Sequence, residues 1–258
     1  MLRAERWSPV LKWAGLVGVI TLAACGLAGN EPAPGIYRAV IEAPDGEIPF
    51  ILELASPPAG GASQAPALFL IDGDQRVAFD SVARVEKALE ARLPGGKATL
   101  NFTARGRKLS GYLRLPNATG ANDELTFTAE SGVAYRFFRE SATDNADVAG
   151  RWSASISGDA GSAAWVIVLT QSHDQVAGTF YGPRGAQYAV TGQVQGDDLR
   201  LSSFDGSTAR LFTATVGDDG DLEGDSWSNL SGSAHWTATR NPDAEIESDA
   251  EATTPTPL

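Results

Sequence analysis

The chain has 258 residues, a formal net charge of −12, two histidines and one cysteine. A single cysteine excludes an internal disulfide, a Cys-x-x-Cys redox pair and a cysteine-rich zinc site; His173 and His235 are too few for a histidine-rich metal site. The acidic balance argues against a nucleic-acid partner, which needs clustered Lys and Arg, while 43% hydrophobic residues suffice for a packed core.

Residues 1–24 read as a leader. Arg3, Arg6 and Lys12 precede an apolar run over 13–24. That run is shorter than the roughly 20 residues that span a bilayer, and it fits the apolar region of a signal peptide. It ends in Leu22-Ala23-Ala24-Cys25-Gly26, which resembles the lipobox of bacterial lipoproteins. The resemblance implies cleavage before Cys25, a thioether lipid on its sulfur and acylation of the new N-terminus, so that the membrane is a partner through Cys25. Several acyl chains give a stable anchor. An ordinary secretory signal with a chance cysteine is the alternative. Gly26, rather than an Asp, favours the outer membrane, facing the periplasm. Loss of Arg3, Arg6, Lys12 and Glu5 takes the net charge from −12 to −14. Residues 25–34 read as a tether.

Residues 35–140 read as a first β unit. Runs over 36–42, 48–54, 68–71, 76–79, 99–104, 108–115, 125–129 and 134–138 are rich in β-branched, aromatic and Leu residues, with Asp45-Gly46 and Asp72-Gly73 as hairpin signals. Residues 82–93 conflict. Val82, Val85, Leu89 and Leu93 have helical spacing, yet the surrounding pattern calls for a strand over 88–93. A polar stretch over 141–147 reads as a linker.

Residues 150–240 read as a second β unit. Strands are expected over 151–156, 163–170, 175–181, 188–194, 199–203, 209–216, 222–227 and 234–239. Tight turns such as Phe204-Asp205-Gly206-Ser207 join them, which suggests an up-and-down meander that closure would convert to a barrel. The two units share words. Gly35-Ile36-Tyr37-Arg38-Ala39 parallels Gly150-Arg151-Trp152-Ser153-Ala154, and Phe102-Thr103-Ala104 parallels Phe212-Thr213-Ala214. The expected fold class is therefore all-β: two related antiparallel meanders, either lipocalin/avidin-like barrels or one continuous sandwich. Residues 241–258, acidic and ending in Thr-Thr-Pro-Thr-Pro-Leu, read as a disordered tail.

No catalytic constellation emerges. There is no Gly-x-Ser-x-Gly elbow, HExxH helix, EF-hand loop or Walker A loop. Asp72-Gly73-Asp74 and Gly217-Asp218-Asp219-Gly220-Asp221 offer oxygen ligands but read as hairpin turns, so no metal and no cofactor are expected. His173 reads as an exposed turn residue and His235 as structural or exposed. Trp152, Trp165, Phe180 and Phe212 are the candidates to fill the second unit or to line a ligand cavity in it.

Two resemblances bear on this. Gly150-Arg151-Trp152 on the first strand and Arg240 after the last resemble the barrel-closing Trp and Arg of calycins, which implies that Arg240 packs over Trp152. The stretches over 35–50, 71–77, 178–188, 192–214 and 236–242 resemble the N-terminal β region of TlpA-like thioredoxin-family lipoproteins. In those proteins a thioredoxin-like domain with a Cys-x-x-Cys pair follows. No residue here matches that motif, so the resemblance implies the β region without redox activity. The function expected is a lipid-anchored, non-catalytic binding or spacer module of the bacterial cell envelope. The alternative is an accessory part of a thiol–disulfide oxidoreductase, with a thioredoxin-like protein as partner.

Overall fold

The computed structural model describes residues 31–56, 66–72, 75–96, 98–117, 119–159 and 161–246. The expected leader, Cys25, residues 25–30 of the tether and residues 247–258 of the tail lie outside the described residues. The described chain is almost entirely antiparallel β.

The second unit is a closed barrel of eight strands. They are β10 (Gly150–Gly158), β11 (Gly161–Ser172), β12 (Gln175–Tyr181), β13 (Gln187–Gln195), β14 (Asp198–Phe204), β15 (Ala209–Val216), β16 (Leu222–Ser228) and β17 (Gly232–Arg240). Each pairs with the next, and β17 returns to β10 with Trp152 opposite Arg240 and Ile156 opposite Trp236. Closure leaves no unpaired sheet edge. Strict alternation fills the interior: Trp152, Ile167, Phe180, Leu201, Phe212 and Trp236 point inward and are buried.

The first unit has the same meander, interrupted. Its strands are β1 (Gly35–Ala43), β2 (Gly46–Ala55), β3 (Ala67–Asp72), β4 (Gln75–Ala78), β5 (Ser81–Val85), β6 (Ala88–Arg92), β7 (Thr99–Arg105), β8 (Lys108–Pro116) and β9 (Asn122–Ser131). The last strand again returns to the first, but β4 and β5 form opposite edges of a nine-stranded half-barrel. Only Phe79 and Asp80 separate them in sequence. The Phe79 N–H bonds the Leu68 carbonyl of β3, and the Asp80 N–H bonds the Arg92 carbonyl of β6.

The barrel wall packs onto this half-barrel. Phe204, Ala209, Leu211 and Trp227 face outward from the barrel and belong to the same buried cluster as Tyr37, Phe50, Phe102 and Phe127. Phe204 meets Phe50 edge-on at 4.8 Å. The β14–β15 turn reaches Leu70 and Leu93, which belong to the two flanks of the interruption. Gly206 is required there: its φ is +88°, and a Cβ would lie 2.9 Å from Leu93 Cδ1.

The shared words also mark shared structure. Tyr37 Oη donates to the Ala33 carbonyl, and Trp152 Nε1 donates to the Val148 carbonyl. In both units, then, the first strand's aromatic ring is fixed to the backbone four residues upstream.

One expected strand is corrected. Residues 134–138 form no strand. The backbone N–H groups of Arg136, Phe137 and Phe138 all donate to one side-chain oxygen, Gln193 Oε1, at 3.1, 2.7 and 2.9 Å, so they have no ladder partner. Of the two patterns that conflict over 82–93, the strand holds: residues 88–92 form β6. The hairpin β5–β6 turns at Glu86, with φ +55°, and its burial leaves Val85 exposed.

Candidate functional site

The barrel has two unlike ends. At the base, residues 145–149 cross beneath the strands. The Ala146 N–H donates to the Gly196 carbonyl, and the Val148 N–H to Gln171 Oε1. Trp152 is fully buried above this strap. Arg240 lies over the indole, its Cζ 4.5 Å from the ring, and donates to the carbonyls of Ala149 and Asp147. Residues 241–246, expected to begin a disordered tail, instead pack here: Asn241 Nδ2 donates to Ser153 Oγ, and the Ala244 carbonyl accepts from Arg151. This end is plugged.

The opposite end is open. A cavity of about 320 Å³ lies among Ile156, Trp165, Tyr188, Arg210, Phe212 and Ser226, with Thr208, Ser228 and Ala234 around it. Inward positions on β10, β11, β13, β15, β16 and β17 supply these side chains, and the β14–β15 turn supplies Thr208. One wall is aromatic: Trp165 lies 5.3 Å from Tyr188, which stacks on Phe180 at 5.4 Å and on Phe212 at 5.9 Å. Gly182, at the end of β12, makes room for this wall, because a Cβ there would lie 2.3 Å from the Trp165 ring.

The charged group in this mouth is Arg210. Its guanidinium lies 4.3 Å above the Tyr188 ring. Its Nη1 approaches Asp205 Oδ2 at 3.4 Å. The Tyr188 hydroxyl has no hydrogen-bond partner among the described residues, and burial pushes its pKa up, so it remains a neutral O–H donor. Asp205 is engaged by its own turn: Oδ1 accepts the N–H groups of Ser207 and Thr208 and the Ser207 hydroxyl. Burial acts to raise its carboxyl pKa, but those donors and Arg210 outweigh it and hold the pKa below the usual value.

This arrangement predicts a pH dependence. A carboxyl held below its unfolded value contributes stability above that value, near 4, and loses it as the pH falls through the folded value. Asp205→Asn is therefore expected to cost about 1 kcal/mol at pH 7 and progressively less below about pH 4. Urea denaturation at the two pH values reads the difference. An undiminished cost in acid would contradict the assignment.

The structure separates the four aromatic candidates. Trp165 and Phe212 line the cavity, whereas Trp152 and Phe180 are buried in the filled part of the barrel. Sequence reasoning missed Tyr188 and Arg210. The signal for Arg210 was present: it alternates in phase with Phe212 along β15, a cation on the inward face of a buried strand.

The two histidines lie elsewhere. His173 occupies the β11–β12 turn with φ +60°. His235 sits on the outer barrel wall between Glu223 and Asp225, at 3.5 and 3.2 Å. The loop over 217–221 is a hairpin turn in which Asp219 Oδ1 accepts the Asp221 N–H. Among the described residues no group of three or more His, Cys, Asp or Glu side chains is placed to hold a metal ion, and no helix is long and apolar enough to cross a membrane.

No family model matches the chain, and no curated protein matches it. Among solved structures, the chain is similar to a putative outer membrane protein from Bacteroides fragilis. The match is 12% identical, covers 80% of this chain and 97% of that one, and has a TM-score of 0.27. At that level it carries no functional information.

Proposed function

We propose that this protein is a lipid-anchored, non-catalytic module of the bacterial cell envelope that binds a small ligand in the mouth of its barrel. The observation that carries the reading is the contrast between the ends of the barrel. The base is filled by Trp152 and strapped shut, while the mouth holds a cavity within the size range of small-molecule sites, at its lower end. An aromatic wall facing the hydroxyls of Thr208, Ser226 and Ser228 suits a compact ligand with an apolar body and a polar end. The lipobox-like sequence ending at Cys25 and the resemblance to TlpA-like lipoproteins support the envelope location.

N-phenyl-1-naphthylamine, an uncharged apolar dye, tests the site. One molecule is expected to bind per chain. Ala234→Trp, which fills the mouth from β17, is expected to weaken binding at least about tenfold without unfolding the barrel. Equal binding to this variant would place the dye elsewhere and overturn the reading. The anchor is checked separately by metabolic labelling with palmitate. Label is expected on the wild-type chain in the membrane fraction and absent from Cys25→Ser; label on both would rule out Cys25 as the lipidated residue.

A further inference from the structure

Building on the cavity reading, we infer that the ligand's apolar body carries a carboxylate, and that Arg210 receives it through Nε and Nη2. Arg210 has donors to spare. A guanidinium with little exposed surface gains from acceptors for its donors. Arg210 retains only 18% side-chain exposure, yet its one acceptor among the described residues is Asp205 Oδ2, 3.4 Å from Nη1. Nε and Nη2 have no acceptor there. Arg38 is similarly enclosed and shows the usual solution: its Nε donates to the Arg136 carbonyl at 2.8 Å and its Nη2 to Glu47 at 3.1 Å. On the surface, Arg76 grips Glu53 with the same two nitrogens at 2.7 and 3.0 Å.

The open pair on Arg210 is the edge of the guanidinium that matches a carboxylate in two parallel hydrogen bonds. Its surroundings favour that use. Its contact with the face of the Tyr188 ring restricts the guanidinium, so less conformational freedom is lost on binding. The Tyr188 hydroxyl adds a neutral donor without an acceptor in the same cavity. Asp205 does not occupy the edge, because its Oδ1 is committed to the turn and its Oδ2 faces Nη1. The aromatic wall then contacts the apolar body of the ligand. The chemical class is a small hydrophobic or aromatic acid.

The test compares 1-naphthoate with 1-naphthalenemethanol, which share a ring system and differ in charge, each displacing N-phenyl-1-naphthylamine from the full chain. The acid is expected to bind about 10- to 100-fold more tightly than the alcohol. Arg210→Gln is expected to abolish that preference while still binding the uncharged dye. Arg210→Lys keeps the charge without the fork and is expected to retain a reduced preference; it carries the test if Arg210→Gln does not fold. Equal affinity of acid and alcohol for the wild-type chain, with the dye still bound, would overturn the carboxylate inference and leave the cavity reading standing. Failure of acid, alcohol and dye alike to bind would overturn both.

Discussion

Trp152→Ala is expected to lower the stability of the protein by about 3–5 kcal/mol, the range for deleting a fully buried large aromatic side chain. The indole is fully buried and lies opposite Ile167 on one side and Arg240 on the other. Its loss leaves a cavity at the base, frees the Val148 carbonyl from its donor and removes the surface on which Arg240 rests. The strap and the returning strand β17 therefore weaken together. Trp165→Ala is the contrast. That ring is only partly buried and already borders open space, so its removal is expected to cost about 1–2 kcal/mol. Chemical denaturation of both variants measures the asymmetry between a plugged base and an open mouth. Similar costs at the two positions would contradict it.

Gln193→Leu is expected to cost about 3 kcal/mol, although it keeps the size of the side chain. One buried carboxamide oxygen satisfies the three N–H groups of residues 136–138, and its Nε2 donates to Asp174 Oδ2 at 3.0 Å. Leucine offers nothing to those donors. The segment they hold is the path from the half-barrel to the barrel. Arg136, on that segment, donates to Ser202 Oγ, which donates in turn to the Pro49 carbonyl of β2 at 2.8 Å. The cost therefore falls on the junction. Amide exchange over 134–140 is expected to accelerate strongly in the variant, and exchange within β10–β17 far less. Uniform acceleration throughout the barrel would show that Gln193 supports the barrel itself.

The barrel was legible in the sequence because its signals agree. Inward and outward residues alternate over each strand, and Gly196, Gly206 and Gly220 supply the positive φ its turns need. All eight expected strands are present, extended at most by two residues at either end. The Trp152–Arg240 closure was implied by the resemblance to calycins and not by alternation; in the structure the two residues are paired near the base.

The misread strand, the conflict over 82–93 and the missed interruption have physical causes. Residues 134–138 are as aromatic as a strand, but local composition cannot reveal that Gln193, more than fifty residues away, takes their N–H groups. The helical spacing of Val82, Val85, Leu89 and Leu93 fits a hairpin equally well when one of the four, Val85, stays outside the core. The interruption between β4 and β5 had no local signal. Short edge strands read like paired ones, and the residues that pack against the half-barrel core come from β14 to β16. Of the site, the aromatic members were legible as a group. Arg210 was not singled out, because a lone arginine in a strand reads as surface until its phase with Phe212 is followed.

The barrel mouth is expected to hold a ligand, and the base is not. A crystal structure of the protein with N-phenyl-1-naphthylamine tests it most directly. The account predicts dye density between Trp165 and Phe212, beside the Arg210 guanidinium, with the strap over 145–149 undisturbed. Dye bound at the base, on the outer wall or between the two units, with the mouth closed by its own side chains, would contradict it.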